Sequence, residues 1–158
     1  MSLRTLAVTL LLSFLVGCGS KKAKPAPDKP FTGAPVAVVV DKINKDSLDV
    51  SVYNFADRAV VMYWFLIRYK DADGEVMKIK PGTAFESETE HMSVSGNKYK
   101  TNPNSWSSLE ISMLDVPEDA KTAEVIVKSV SAMAKDGVTI EEADLWSMEG
   151  IEWPAGNP

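Results

Sequence analysis

The chain has 158 residues with 22 acidic side chains, 17 basic ones and a single histidine, for a net charge of −5. An apolar content of 45% is enough for an ordinary buried core. The acidic balance speaks against a nucleic-acid-binding surface, and one cysteine excludes an internal disulfide framework.

The chain opens with Met1-Ser2-Leu3-Arg4, one positive charge on a polar start, and continues into an apolar run from Leu6 to Val16. That run is too short for a spanning helix, which needs roughly 20 apolar residues. A charged start, a short apolar centre and a small-residue end is the layout of a secretory signal peptide. The run closes on Leu15-Val16-Gly17-Cys18, which resembles the bacterial lipobox. The resemblance implies that residues 1–17 are removed and that the Cys18 thiol carries a diacylglyceryl group. The new amino terminus would be acylated, typically with palmitate. Two or more chains, at roughly 0.8 kcal/mol per buried CH₂, hold a protein stably on a bilayer. Gly19 follows; in enterobacterial lipoproteins an Asp there retains the protein in the inner membrane, so the resemblance points to the outer one. The alternative is a plain signal peptide followed by a free thiol.

Residues 18–35 contain Lys21, Lys22, Lys24 and Lys29 among Pro, Ala and Gly, with no apolar period. This composition reads as a flexible or polyproline-like linker. Its lysines either contact anionic headgroups or merely keep a tether soluble. From residue 36 on, 21 acidic residues stand against 12 basic ones, leaving that part near −9.

Val36 to Ile43 is short and β-branched, a strand ended by the turn residues Asn44-Lys45-Asp46. Leu48, Val50 and Val52 alternate with Asp49, Ser51 and Tyr53, the period of a half-buried strand. Ala59 to Lys70 is the most apolar segment after the leader and reads as a long central strand, with Trp64 in the core beside Tyr63 and Phe65. Asp71-Ala72-Asp73-Gly74 then predicts a hairpin turn into a strand over Glu75–Lys80. A further strand is expected within 83–93, a loop over 95–105 and a strand over Leu109–Met113. A short helical turn at Val116–Ala120 follows, then a strand over Ala123–Ala134, a second hairpin turn at Asp136-Gly137 and a returning strand to Trp146. Seven or eight short strands without a long helix predict an all-β, antiparallel sandwich over residues 36–158, with a C-terminal tail.

Val50-Ser51-Val52-Tyr53-Asn54, the long apolar strand ending at Asp71-Ala72-Asp73-Gly74, and the Ala123–Gly137 strand and turn resemble bacterial immunoglobulin-like domains of the FxLYD and late-embryogenesis-abundant (water-stress) type. Lys70 departs from that pattern, with Tyr69 one position early. The resemblance implies an immunoglobulin-like fold and no particular activity.

Chemistry is sparse. Ser-His or Cys-His catalysis would have to use His91, and Cys18 is claimed by the lipid. Asp71 to Glu75 resembles the start of a calcium loop, but the twelfth position is Gly82 where a bidentate Glu is needed. Glu86, Glu88, Glu90 and His91 are the nearest approach to a metal-binding or hydrolytic constellation. As a strand they would place three carboxylates on one face and the imidazole on the other, so a solvated acidic face is the simpler reading. Trp106 beside the polar loop is a candidate contact residue, whereas Trp146 and Trp153 are expected to cover one end of the sandwich. The sequence therefore predicts a non-enzymatic envelope lipoprotein without cofactor or metal. It would be held to a membrane through Cys18 and contact an envelope protein through Glu86, Glu88 or Trp106, with a metal-binding or hydrolytic site on Glu86–His91 as the alternative.

Overall fold

A computed structural model describes residues 24–80, 88–96, 100–112, 114–134, 136, 145–150 and 152–154. Cys18, Glu86 and residues 138–144 of the returning arm expected up to Trp146 lie outside these residues. Seven strands are present among the described residues: β1 (Val36–Ile43), β2 (Ser47–Asn54), β3 (Val60–Lys70), β4 (Met92–Gly96), β5 (Trp106–Ser112), β6 (Thr122–Ala132) and β7 (Trp146–Ser147). One sheet has the order β1-β2-β5 and the other β4-β3-β6-β7, with every pairing antiparallel. This is the predicted immunoglobulin-like sandwich.

Alternation explains which side chains meet. Leu48, Val50 and Val52 of β2 face inward beside Leu109 and Ile111 of β5. Across from them, Tyr63, Phe65, Ile67 and Tyr69 of β3 join Val125, Val127 and Val130 of β6 in one continuous core. Tyr63 and Phe65, two positions apart on the same face, stack with ring centres 5.7 Å apart. The same parity turns Trp64 outward, and it is 42% exposed rather than in the core as expected. Hydrophobicity alone had grouped it with its neighbours; the period of two separates them.

The Asp71–Gly74 turn forms. Gly74 adopts φ +84°, and the Asp71 carboxylate accepts hydrogen bonds from the amides of Asp73 (2.9 Å) and Glu75 (3.0 Å). The strand expected over Glu75–Lys80 does not form. Val76 and Ile79 make only isolated bridges, to Lys70 and Thr89. Their edge of β3 is taken by β4 from Ile67 backward, which leaves the 75–80 segment a single point of pairing there. Residues 88–90 precede β4 rather than belonging to it, and the helical turn expected at Val116–Ala120 is one turn closed by the Ala120 amide on the Pro117 carbonyl (3.0 Å).

The two sheets are joined by a buried polar network. Asn54 is fully buried, and its side-chain amide donates to the carbonyls of Arg58 (2.7 Å) and Thr101 (3.1 Å) while its oxygen accepts from the Ala56 amide (2.8 Å). Thr101 pairs through its backbone with Val60 in the opposite sheet, and its hydroxyl accepts from the Tyr63 hydroxyl. Burial pushes the Tyr63 phenol up to about 12, against the opposing effect of that hydrogen bond. The Tyr69 phenol, pushed to about 12 by burial and by the charge of Asp115, is buried with no hydrogen-bond partner among the described residues.

These two kinds of polar burial respond oppositely to deletion. Asn54→Ala removes three hydrogen bonds, those to the Arg58 carbonyl, the Ala56 amide and the Thr101 carbonyl, the last of which keeps the Val60 amide, and is expected to lower the unfolding free energy by about 3 kcal/mol, at roughly 1 kcal/mol per bond lost. Tyr69→Phe removes an unpaired hydroxyl and is expected to leave stability unchanged or raise it by up to about 1 kcal/mol. Urea unfolding of the two variants beside the parent checks the contrast.

Candidate functional site

β1 is an edge strand, and β7 pairs with β6 only at Ser129 and Val130. The outer edge of β1 and the Thr122–Val127 edge of β6 therefore have no strand partner among the described residues. Between them lies an open groove of about 460 Å³, with Val36–Val40 on one side, Ala123–Val127 on the other and Pro27, Pro30 and Phe31 along a third wall. Its surface is mainly apolar, and Phe31 (51% exposed) and Val39 (40%) stand open to solvent on it. Asp28 and Glu124 are its ionisable lining groups.

The third wall comes from the segment before β1. Residues 24–35 have no regular secondary structure, yet they lie against the sandwich. The indole N–H of Trp106 donates to the Pro25 carbonyl (3.0 Å), and the Lys24 ammonium sits 4.0 Å from the centre of the Trp106 ring. Trp106 starts β5 directly opposite Tyr53 on β2. Both point away from the core, and Phe55 extends the row: Tyr53–Trp106 and Tyr53–Phe55 are edge-on pairs at 5.3 and 4.8 Å. A Pro30–Gly33 turn and a bond from the Phe55 amide to the Pro35 carbonyl (2.8 Å) then lead the strap into β1. A cation–π contact at an exposed site is worth about 0.5–1 kcal/mol, and a neutral hydrogen bond about 0.5–1.5 kcal/mol. The polar hold of Trp106 on the strap is therefore weak enough to be reversible.

The residues singled out in sequence are dispersed. Trp106 belongs to the aromatic row, half-buried beneath Lys24 and Pro25 rather than free beside a loop. Glu88 is exposed and lies 3.8 Å from the Lys80 ammonium, away from the groove lining. Glu90 is exposed, and the His91 ring is 6.3 Å from that of Trp153. Among the described residues no three His, Cys, Asp or Glu side chains converge as metal ligands would. Sequence reasoning missed Lys24, Pro25, Phe31, Val39, Tyr53 and Phe55. Only the outward parity of Tyr53 along β2 offered a signal.

The C-terminal tail also takes an unexpected place. Trp146 pairs in β7 and packs on the core, but Trp153 does not cover an end of the sandwich. It stacks over the Arg68 guanidinium, 4.1 Å from the ring centre, on the outer face of the four-stranded sheet. Arg68 is opposite Glu124 across the β3–β6 ladder, and the Glu124 carboxylate is held by both Arg68 and Lys70 (2.7 Å). Burial alone would raise the Glu124 carboxyl, but the hydrogen bonds and charges of Lys70 and Arg68 outweigh it, and the net shift is downward.

No protein-family model matches the chain, and no curated protein matches it either. Two solved structures do. The Salmonella enterica trimeric lipoprotein SadB aligns at 10% identity with a TM-score of 0.35, over 61% of this chain and 53% of that one. The chain thus spans about half the length of SadB. A structural-genomics target, SoR45, aligns at 11% identity with a TM-score of 0.29, over 78% of this chain and 96% of that one. Scores of this size transfer neither fold nor role.

Because the folded-state pKa of Glu124 lies below its unfolded value, its contribution is present above the unfolded carboxyl range and lost as pH falls through the folded value. Glu124→Gln is expected to cost about 1 kcal/mol near pH ~7 for this partly exposed pair. The difference between parent and variant should begin to shrink as the pH falls below the ordinary carboxyl range and vanish only below the lowered folded-state value, as followed by denaturant midpoints across a pH series.

Proposed function

We propose that this chain is a lipid-anchored bacterial envelope protein of the outer membrane whose β-sandwich is a non-enzymatic binding module. On this reading it holds an extended, apolar segment of an envelope protein in the groove between β1 and β6. The observation that carries it is the groove itself: two strand edges from different sheets face one mainly apolar channel. Unpaired strand edges present rows of backbone donors and acceptors, and strand addition uses those rows for affinity and flanking apolar pockets for specificity. Of the groove's two carboxylates, Glu124 is already engaged by Lys70 and Arg68, which supports a surface for binding rather than for proton transfer. Leu15-Val16-Gly17-Cys18 supports anchoring through the Cys18 thiol, with residues 1–17 as the signal peptide. The likeness of Val50–Asn54 and Asp71–Gly74 to the FxLYD and water-stress domains supports the same domain class.

Two experiments test the reading. Cys18→Ser is expected to move the protein from the membrane to the soluble fraction and to abolish labelling by radioactive palmitate; persistent membrane association of the variant overturns the anchor. For the groove, a photo-crosslinking residue replacing Phe31 in the intact, lipidated protein is expected to form a discrete protein adduct in the native envelope. That adduct should disappear when Val39→Lys places a charge in the groove, and the same crosslinker at Glu110 should not form it. An adduct indifferent to Val39→Lys, or shared with the Glu110 position, rules the groove out.

A further inference from the structure

We infer that Trp106, backed edge-on by Tyr53 and Phe55 behind it, is a docking site for a Lys-Pro segment, filled by the chain's own Lys24-Pro25, and that it acts as a latch on the length of the membrane tether. The inference rests on the proposed attachment at Cys18; the docking contacts themselves do not.

The chemistry of the contact is specific to its occupant. A carbonyl from an extended proline-containing backbone accepts from the Trp106 indole N–H (3.0 Å). The preceding side chain places an ammonium over the same ring (4.0 Å). Aromatic rows of this kind suit proline-rich segments, which are already extended and lose little entropy on docking. Pro25 and Pro27 flank Ala26 here. The segment that fills the site is the one joining the domain to Cys18.

Docking changes how far the domain can stand from its anchor. With Lys24 held on Trp106, six residue steps separate the lipidated residue from the fold, a contour length of at most about 20 Å. With residues 24–33 released, the fold begins at Ala34, which lies in the core, sixteen steps from Cys18, and the limit rises to about 55 Å. The latch also bears on the groove, because Pro27, Pro30 and Phe31 of the same strap form one of its walls. Release opens that wall; a segment lying in the groove against it favours the docked state, and the coupling runs equally in both directions.

The chain has one cysteine, taken by the lipid, so Lys45→Cys gives a unique dye site on the exposed β1–β2 turn. In the intact lipidated protein on phosphatidylcholine vesicles, energy transfer to headgroup-labelled acceptor lipids reports the height of the domain. The parent is expected to show high transfer, and Trp106→Ala and Lys24→Ala a clear loss. Trp106→Phe, which keeps a ring but removes the N–H, should fall between. Lys24 is exposed and outside the core, so Lys24→Ala keeps the test valid if Trp106→Ala fails to fold. Transfer at the parental level in both Lys24→Ala and Trp106→Phe overturns the latch. A parent that does not load onto vesicles overturns the anchor on which the tether depends, and is separated from failure of the latch by measuring bound protein before transfer.

Discussion

The structure depends on the side-chain amide of Asn54. A sandwich without a disulfide needs another means of fixing one sheet over the other, and apolar packing alone tolerates sliding. Asn54 supplies direction: it is fully buried at the end of β2, and its donors and acceptor are matched to three backbone groups. One of those groups belongs to Thr101, which pairs with β3 and accepts from Tyr63. In a buried setting an unmatched polar atom costs more than a matched one contributes. Any displaced arrangement of the sheets would therefore strand several groups at once.

The same network places the aromatic row. The Asn54 backbone amide donates to the Ser105 carbonyl (3.2 Å), and the Asn104 backbone amide donates to the Asn54 backbone carbonyl (2.8 Å). Asn104 sits at φ 49°, a left-handed conformation that Asn accepts more readily than most residues. The chain is thereby delivered into β5 with Trp106 opposite Tyr53. Fixing Asn54 inside thus determines which outer-face ring meets the strap.

What sequence revealed and what it hid divide along a physical line. β2, β5 and the second half of β3 were legible from a period of two in apolar side chains, and β1 and the first half of β3 from runs of β-branched and aromatic residues; both are local properties. The failed strand over Glu75–Lys80 has that period too. Whether it pairs depends on who holds the edge of β3, and β4 holds it. Trp64 was misjudged for the opposite reason, since its parity was available and its hydrophobicity was followed instead. Glu86, Glu88, Glu90 and His91 were grouped by nearness in sequence, and as one strand they would form an acidic face with His91 turned away; residues 88–90 are not in a strand. The groove and the strap could not be read at all. Trp106 and Pro25 are 81 residues apart, and a Lys-Pro-Ala-Pro run has no periodicity to announce a partner.

Open strand edges are usually blunted by charge, proline or a bulge, and the protein's use of these devices is uneven. β1 shifts register between Val40 and Lys42, and from Asp41 onward its outer side chains are charged. Before that point, Val36 to Val40 offer no charge, and the blunting is done from outside by a strap bearing Pro27 and Pro30. A covering built into the strand would be permanent. At its Lys24-Pro25 end this strap is held by one indole hydrogen bond and a surface cation–π contact, about 1–2.5 kcal/mol together, so that end is the most easily released part of the covering. The part of β1 that most resembles a bare edge is thus the part whose cover comes from the preceding segment rather than from the strand itself.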